Sequence, residues 1–179
     1  MEKSIVIEKT KEYLKVYENP IGVMTNSPTF DWHLTNLNEH IKTAPIQPEA
    51  IKWGNKELKS LGVGLGTNGL PGGWSSVDRF VRIAYLKSRI SETEDLMSGI
   101  SQIFHMLNNV AMPKGAVISD NLDDITLYTS CMWQQKGIYY YTTYNNNGIS
   151  SIDMNKEDLD SKEIKRFEYL DKLHITYPN

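Results

Sequence analysis

GLGTNGLPGGWSSVDRF, residues 64–80, is the stretch on which the fold turns. Gly64, Gly66 and Gly69 satisfy the pattern G-x-G-x-x-G. If these glycines cradle a pyrophosphate, the chain is a parallel α/β dinucleotide-binding domain; if they only shape a loop, it is something else. A phosphate cradle needs a buried strand before it and a helix opening directly after it. Here NKELKSLGV (55–63) carries Lys56, Glu57 and Lys59, and Pro71-Gly72-Gly73 separates the triplet from the helix that follows. No Gly-Lys-Ser/Thr comes next, so a P-loop fails as well. The glycines read as a shaped loop.

Working outward, Ser75 and Asp78 form a capping-box pattern, and Val77, Phe80, Val81 and Ala84 recur at helical spacing behind it. Ser91 and Glu94 repeat the box before a second stripe of Leu96, Ile100, Ile103, Phe104 and Leu107. Beyond Pro113-Lys114-Gly115 the period shortens. ITLYTSCMW (125–133), IYYYTTY (138–144) and ISSIDM (149–154) are split by the turn-formers QQKG and NNNG, which predicts an antiparallel meander. The charged stretch Lys156–Tyr169 is expected to be a further helix.

Toward the N-terminus, SIVIEK (4–9) and YLKVYE (13–18) flank Thr10–Glu12 and read as a hairpin, with a third β-prone run at Gly22–Thr25. Ser27 then suits a helix cap and Pro28 the first helical position, ahead of a stripe of Phe30, Leu34, Leu37 and Ile41. Residues 42–74 read as a long irregular connection. Three strands, three helices and three strands in that order predict an α+β, layered fold with antiparallel sheets rather than alternating βαβ units.

The chain has 179 residues, 40% of them hydrophobic and 23% charged, which suits a single globular domain over 1–179. A formal net charge of −3 and the lack of a basic stripe argue against nucleic-acid binding. No apolar run reaches the roughly 18 residues of a membrane span. The opening MEKSIVIEKTKEYL resembles no signal peptide, and the one cysteine, Cys131, forbids an internal disulfide. These features predict a cytoplasmic protein.

Four blocks carry a resemblance: NPIGVMTNSPTFDWHLTNL (19–37), LPGGWSSVDRFVR (70–82), IFHMLNNVAMPKG (103–115) and KGIYYYTTYNNNGISSIDM (136–154). In that order they resemble the choloylglycine hydrolase family, which includes penicillin V acylases and conjugated bile acid hydrolases. The resemblance runs from about Ser4 to the C-terminus and implies part of an αββα N-terminal nucleophile hydrolase fold. In such enzymes an N-terminal cysteine thiol attacks a linear amide, with the chain's own α-amino group as base. The resemblance implies two catalytic positions here. Asn26, in GVMTNSP, matches the asparagine whose amide helps to form the oxyanion hole; Arg79, in SSVDRFVR, matches the arginine beside the nucleophile. Within the family, TNSPTFDWH leans slightly toward the penicillin V acylases.

The family's nucleophile, and the arginine and aspartate that accompany it, find no counterpart in these residues, which open Met1-Glu2-Lys3-Ser4. The match corresponds to about the C-terminal half of a complete enzyme, so the expectation is a fragment inactive alone, hydrolysing a small amide only when complemented. Apolar sheet surface left bare would be covered in a homo-oligomer or by a chain supplying the missing half. Cys131 lies mid-strand with no His/Asp partner and reads as an inert core thiol. His33 and His40, seven residues apart, make only a weak metal pair, and neither a metal nor an organic cofactor is implied. Two other readings stay open: a non-catalytic module binding an amphipathic ligand, and a decayed gene product.

Overall fold

The computed structural model describes residues 4–179, which form two compact units meeting between Ser91 and Glu92. In the first unit, β1 (Ile5–Lys9) and β2 (Leu14–Glu18) pair antiparallel, with Ile7 opposite Val16. Thr10 closes the turn, its hydroxyl accepting from the Tyr13 amide at 3.1 Å. Alternation sends Val6 and Tyr17 to the helical side, where Val6 is buried with Val23, Phe30, Phe80 and Ala84. The other face stays bare: Ile5, Ile7, Leu14 and Val16 are 60–65% exposed.

The expected third strand is absent. The Asn19 side chain accepts the Gly22 amide at 2.7 Å and donates to the Val23 carbonyl at 3.2 Å, so these groups bond to a local turn instead of a sheet ladder. Helix α1 runs Phe30–Asn36, starting later than Ser27 and Pro28 suggest. Its first donor, the Phe30 amide, lies 3.3 Å from both oxygens of Glu8 on β1, and Asp31 takes the Trp32 amide at 3.0 Å. A cap delivered from another element overrides the local one. Lys15 on β2 adds an ion pair to Asp31 at 2.9 Å; the Thr29 hydroxyl and Lys15 together hold that carboxyl well below its usual range.

Segment 42–74 is not wholly irregular, since β3 (Ile51–Trp53) and β4 (Lys56–Leu58) make a hairpin around Gly54 at φ 58°. The glycine triplet shapes a loop, as read. Gly64 sits at φ 91°, and a Cβ on Gly66 would lie 2.0 Å from the Ile46 carbonyl oxygen. Helix α2 (Ser76–Arg89) buries Phe80, Val81 and Ala84, and the Ser75 hydroxyl accepts from the Asp78 amide at 3.1 Å. Ser75→Ala is expected to cost about 1 kcal/mol, read as a lower urea midpoint at constant m. An unmoved midpoint would mean that the cap contributes nothing.

In the second unit, α3 (Leu96–Asn108) opens on Asp95, not on the Ser91/Glu94 box. Asp95 accepts from the Ser98 amide at 3.0 Å and its hydroxyl at 2.6 Å, and these bonds hold its carboxyl below the usual range. A short hairpin, β5 (Ile118–Ser119) and β6 (Leu122–Asp123), turns on Asp120 and Asn121, both at positive φ. The meander forms as expected: β7 (Tyr128–Trp133), β8 (Ile138–Thr143) and β9 (Ser150–Asp153) are antiparallel in sequence order. Ile100 and Phe104 of α3 bury against Tyr140, with Cys131, Trp133 and Ile138 packed beside them.

The expected helix at 156–169 does not form; a 3-10 turn at Met154–Lys156 gives way to irregular chain. The tail is held by the sheet instead. The Tyr169 hydroxyl donates to the Leu127 carbonyl at 2.9 Å, and Asn145 donates to Asp171 through its amide at 2.6 Å. Antiparallel strands with helices packed on them make the fold α+β. Among the described residues no helix is long and apolar enough to cross a membrane.

Candidate active site

Asn26 and Arg79 both belong to the first unit. Asn26 lies in irregular chain before α1, not between a strand and a helix end. Two amides in the first turn of α1 already have partners, Phe30 in Glu8 and Trp32 in Asp31. What remains is the side chain: Asn26 is exposed, and among the described residues its amide group makes no hydrogen bond. Its carbonyl oxygen is fixed, 3.1 Å from Nε2 of His33.

His33 is 1% exposed on α1 and stacks on Phe80 with ring centroids 4.7 Å apart. Phe80 is the residue after Arg79. One imidazole therefore joins the loop bearing Asn26 to the helix bearing Arg79. Among the described residues no hydrogen bond joins the two candidate side chains themselves.

Arg79 is half-buried rather than free in solvent. Its Nε donates to the Trp74 carbonyl at 3.1 Å, which folds the guanidinium back over the start of α2. A second arginine, Arg82, lies one helical turn on. Arg82 is buried, and its Nη1 donates to the carbonyls of Pro71, at 2.8 Å, and of Gly73. Burial lowers its pKa while Asp78 nearby opposes that shift. The two arginines thus take hold of the loop 71–74 through three of its carbonyls, which fixes the backbone from which Arg79 projects. The signal was a cation inside a helical stripe, between Val81 and Ile83.

The other candidates lie elsewhere. His40 bonds through Nδ1 to the Gly69 carbonyl at 3.1 Å, so the histidine pair divides between two loop carbonyls. Among the described residues no group of three or more His, Cys, Asp or Glu side chains could hold a metal ion. Cys131 sits on β7 of the second unit, half-buried, and burial pushes its thiol pKa up. A raised pKa withholds the thiolate, so this sulfur is poorly suited to nucleophilic attack. Beside it lies a cavity of about 470 Å³, lined by Leu96, Ile100, Trp133 and Tyr140 and by the acidic Glu94 and Asp95.

The site as a whole presents an exposed amide donor on a loop that His33 ties to the guanidinium-bearing helix, an arrangement that suits stabilising negative charge. It contains no thiol of its own.

The chain is 48% identical over 178 residues to a bile salt hydrolase/transferase of Clostridium perfringens (strain 13 / Type A), covering 99% of this chain and 54% of the relative. It is 42% identical over 164 residues to a bile salt hydrolase/transferase of Lactiplantibacillus plantarum, covering 91% and 51%. The crystal structure of a mutant conjugated bile acid hydrolase from Clostridium perfringens superposes with a TM-score of 0.89 over 99% of this chain and 54% of that one, at 48% identity. A penicillin V acylase from Agrobacterium tumefaciens gives 0.65 at 26% identity, covering 90% and 45%. The bile salt hydrolases stand nearer, the reverse of the leaning drawn from TNSPTFDWH. The chain spans about half the length of the curated relatives it matches. Residues 1–167 match the linear amide C–N hydrolases of the choloylglycine hydrolase family, and the chain belongs to that family.

Proposed function

We propose that these residues form the oxyanion-binding part of a linear amide hydrolase whose thiol nucleophile comes from polypeptide outside the 179 residues. The observation that carries the reading is Asn26: an exposed side-chain amide with no hydrogen bond among the described residues, on a backbone tied down by a buried histidine. In catalysis the outside thiolate would attack the scissile carbonyl carbon, and Asn26 would donate to the oxygen as it gains charge. Arg79 would supply positive potential to the thiolate. With relatives named as bile salt hydrolases at 48% and 42% identity, the first substrate to try is an amide-conjugated bile acid. The single cysteine fits a reducing compartment, and we place the activity in the cytoplasm.

The test is complementation. The chain is mixed with a nucleophile-bearing N-terminal half of a relative, and release of glycine from a conjugated bile acid is followed. Hydrolysis that requires both components and Asn26 supports the proposal. Hydrolysis by the purified chain alone, lost on Cys131→Ser, defeats it.

The bare sheet face supports a proposal about assembly. Four aliphatic side chains at 60–65% exposure on one face of a hairpin are normally covered. We propose that a second copy or the complementing half packs there. Light scattering on the isolated chain at micromolar concentration is expected to show oligomers, and Ile7→Glu to dissociate them. Compact monomers of the unmodified chain would refute self-association.

The cavity beside Cys131 favours a second reading, a module binding an amphipathic ligand. Its acidic lining suits a neutral or cationic amphiphile better than a bile acid anion. Binding of a long-chain amine that shields Cys131 from a thiol reagent, together with failure of complementation, would select this reading.

A further inference from the structure

We infer that His33 is the positioning residue for Asn26, an inference that rests on the oxyanion role proposed above. His33 supplies the single hydrogen bond that Asn26 makes among the described residues, Nε2 to the Asn26 carbonyl at 3.1 Å. A carbonyl only accepts, so Nε2 is the donor and carries a proton. Nδ1 is buried and has no hydrogen-bond partner among the described residues. No second hydrogen bond therefore orients the ring; packing does. Phe80 stacks on it at 4.7 Å and 25°, and Trp32 meets it edge-on at 5.5 Å and 87°.

A side chain present only to fill this space would be better apolar, because an imidazole there leaves Nδ1 desolvated and unpaired. What histidine adds over phenylalanine is the Nε2 donor, and its one acceptor is Asn26. The imidazole acts as a strut from the wall made by Phe80 to the backbone that aims the Asn26 amide.

The experiment combines NMR on the full chain with kinetics on the complemented enzyme. Ring nitrogen shifts should report the Nε2–H form of His33, and the heteronuclear NOE at Asn26 should match that of α2. His33→Phe keeps an aromatic against Phe80 but removes the donor. The NOE at Asn26 is then expected to fall to values typical of chain ends while α2 is unchanged. His33→Gln can place an amide nitrogen near the lost Nε2 and is expected to restore it. Should His33→Phe not fold, His33→Asn serves, since its amide stops short of the carbonyl.

In the complemented enzyme His33→Phe is expected to lower kcat about ten- to a hundredfold with KM held. The double variant N26A/H33F should be no slower than N26A alone. An Nε2 found without a proton, or an Asn26 NOE unmoved by His33→Phe, overturns the strut. If the NOE responds but Asn26→Ala leaves hydrolysis intact, the strut is real and the oxyanion reading fails.

Discussion

In the complemented enzyme, Asn26→Ala is expected to lower kcat about a hundred- to a thousandfold, the usual cost of removing one oxyanion donor. The size follows from geometry. The Asn26 amide is exposed and has no hydrogen bond to give up among the described residues, so a reacting oxygen would gain the donor without first displacing a partner. The backbone that carries it is held through the Asn26 carbonyl. An interaction formed only as charge develops lowers kcat and kcat/KM together when it is lost. Asn26→Asp should be at least as damaging, since it is nearly isosteric but sets a carboxylate against a forming anion. Steady-state kinetics with a glycine-conjugated bile acid check both. Asn26→Ala at the unmodified rate would remove Asn26 from the chemistry and leave the family relationship standing.

What the sequence makes legible here is local. The β1–β2 hairpin, the Ser75 cap of α2, the stripe Phe80-Val81-Ala84 and the three-stranded meander all follow from period and turn chemistry within a few residues. The failures share a different cause. Helix α1 takes its first-turn partner from Glu8, far back on β1, so no local pattern marks its start. The stretch 156–169 is charged like an exposed helix, yet the chain at its end is tied back, with Tyr169, Leu170 and Asp171 bonded to Leu127, Thr143 and Asn145. Arg82 reads as surface until the loop carbonyls of Pro71 and Gly73 turn in to receive it. His33 looked like half of a metal pair because spacing says nothing about which carbonyl a ring will meet. The bare hairpin face did have a sequence signal, the uninterrupted Ile5-Val6-Ile7, which puts apolar groups on both sides of a strand. Asn26 and Arg79 were nominated by resemblance; composition and period alone would have left them as a turn residue and a solvated cation.

Phe80→Ala carries the largest expected loss of stability, about 3–5 kcal/mol. The side chain is 1% exposed and sits where β1, α1 and α2 bury their apolar faces together. It meets Phe30 edge-on, with ring centroids 6.5 Å apart and planes at 78°, and stacks on His33. Truncation removes both ring contacts and leaves a cavity walled by residues of different elements, which cannot all close on it. A domain whose whole stability is about 5–15 kcal/mol loses a large share of it by such a change. Urea unfolding followed by far-UV circular dichroism measures the loss, and a change under about 1 kcal/mol would mean that the first unit repacks freely. Phe80→Leu separates packing from aiming. It retains most of the buried volume, so the stability cost should shrink to about 1–1.5 kcal/mol. It also removes the flat surface against which His33 rests. If the imidazole needs that wall to aim Asn26, the complemented Phe80→Leu enzyme should lose kcat out of proportion to its small loss of stability; a fall in rate no larger than that of Phe104→Leu, in the other unit's core, would show that the wall is dispensable.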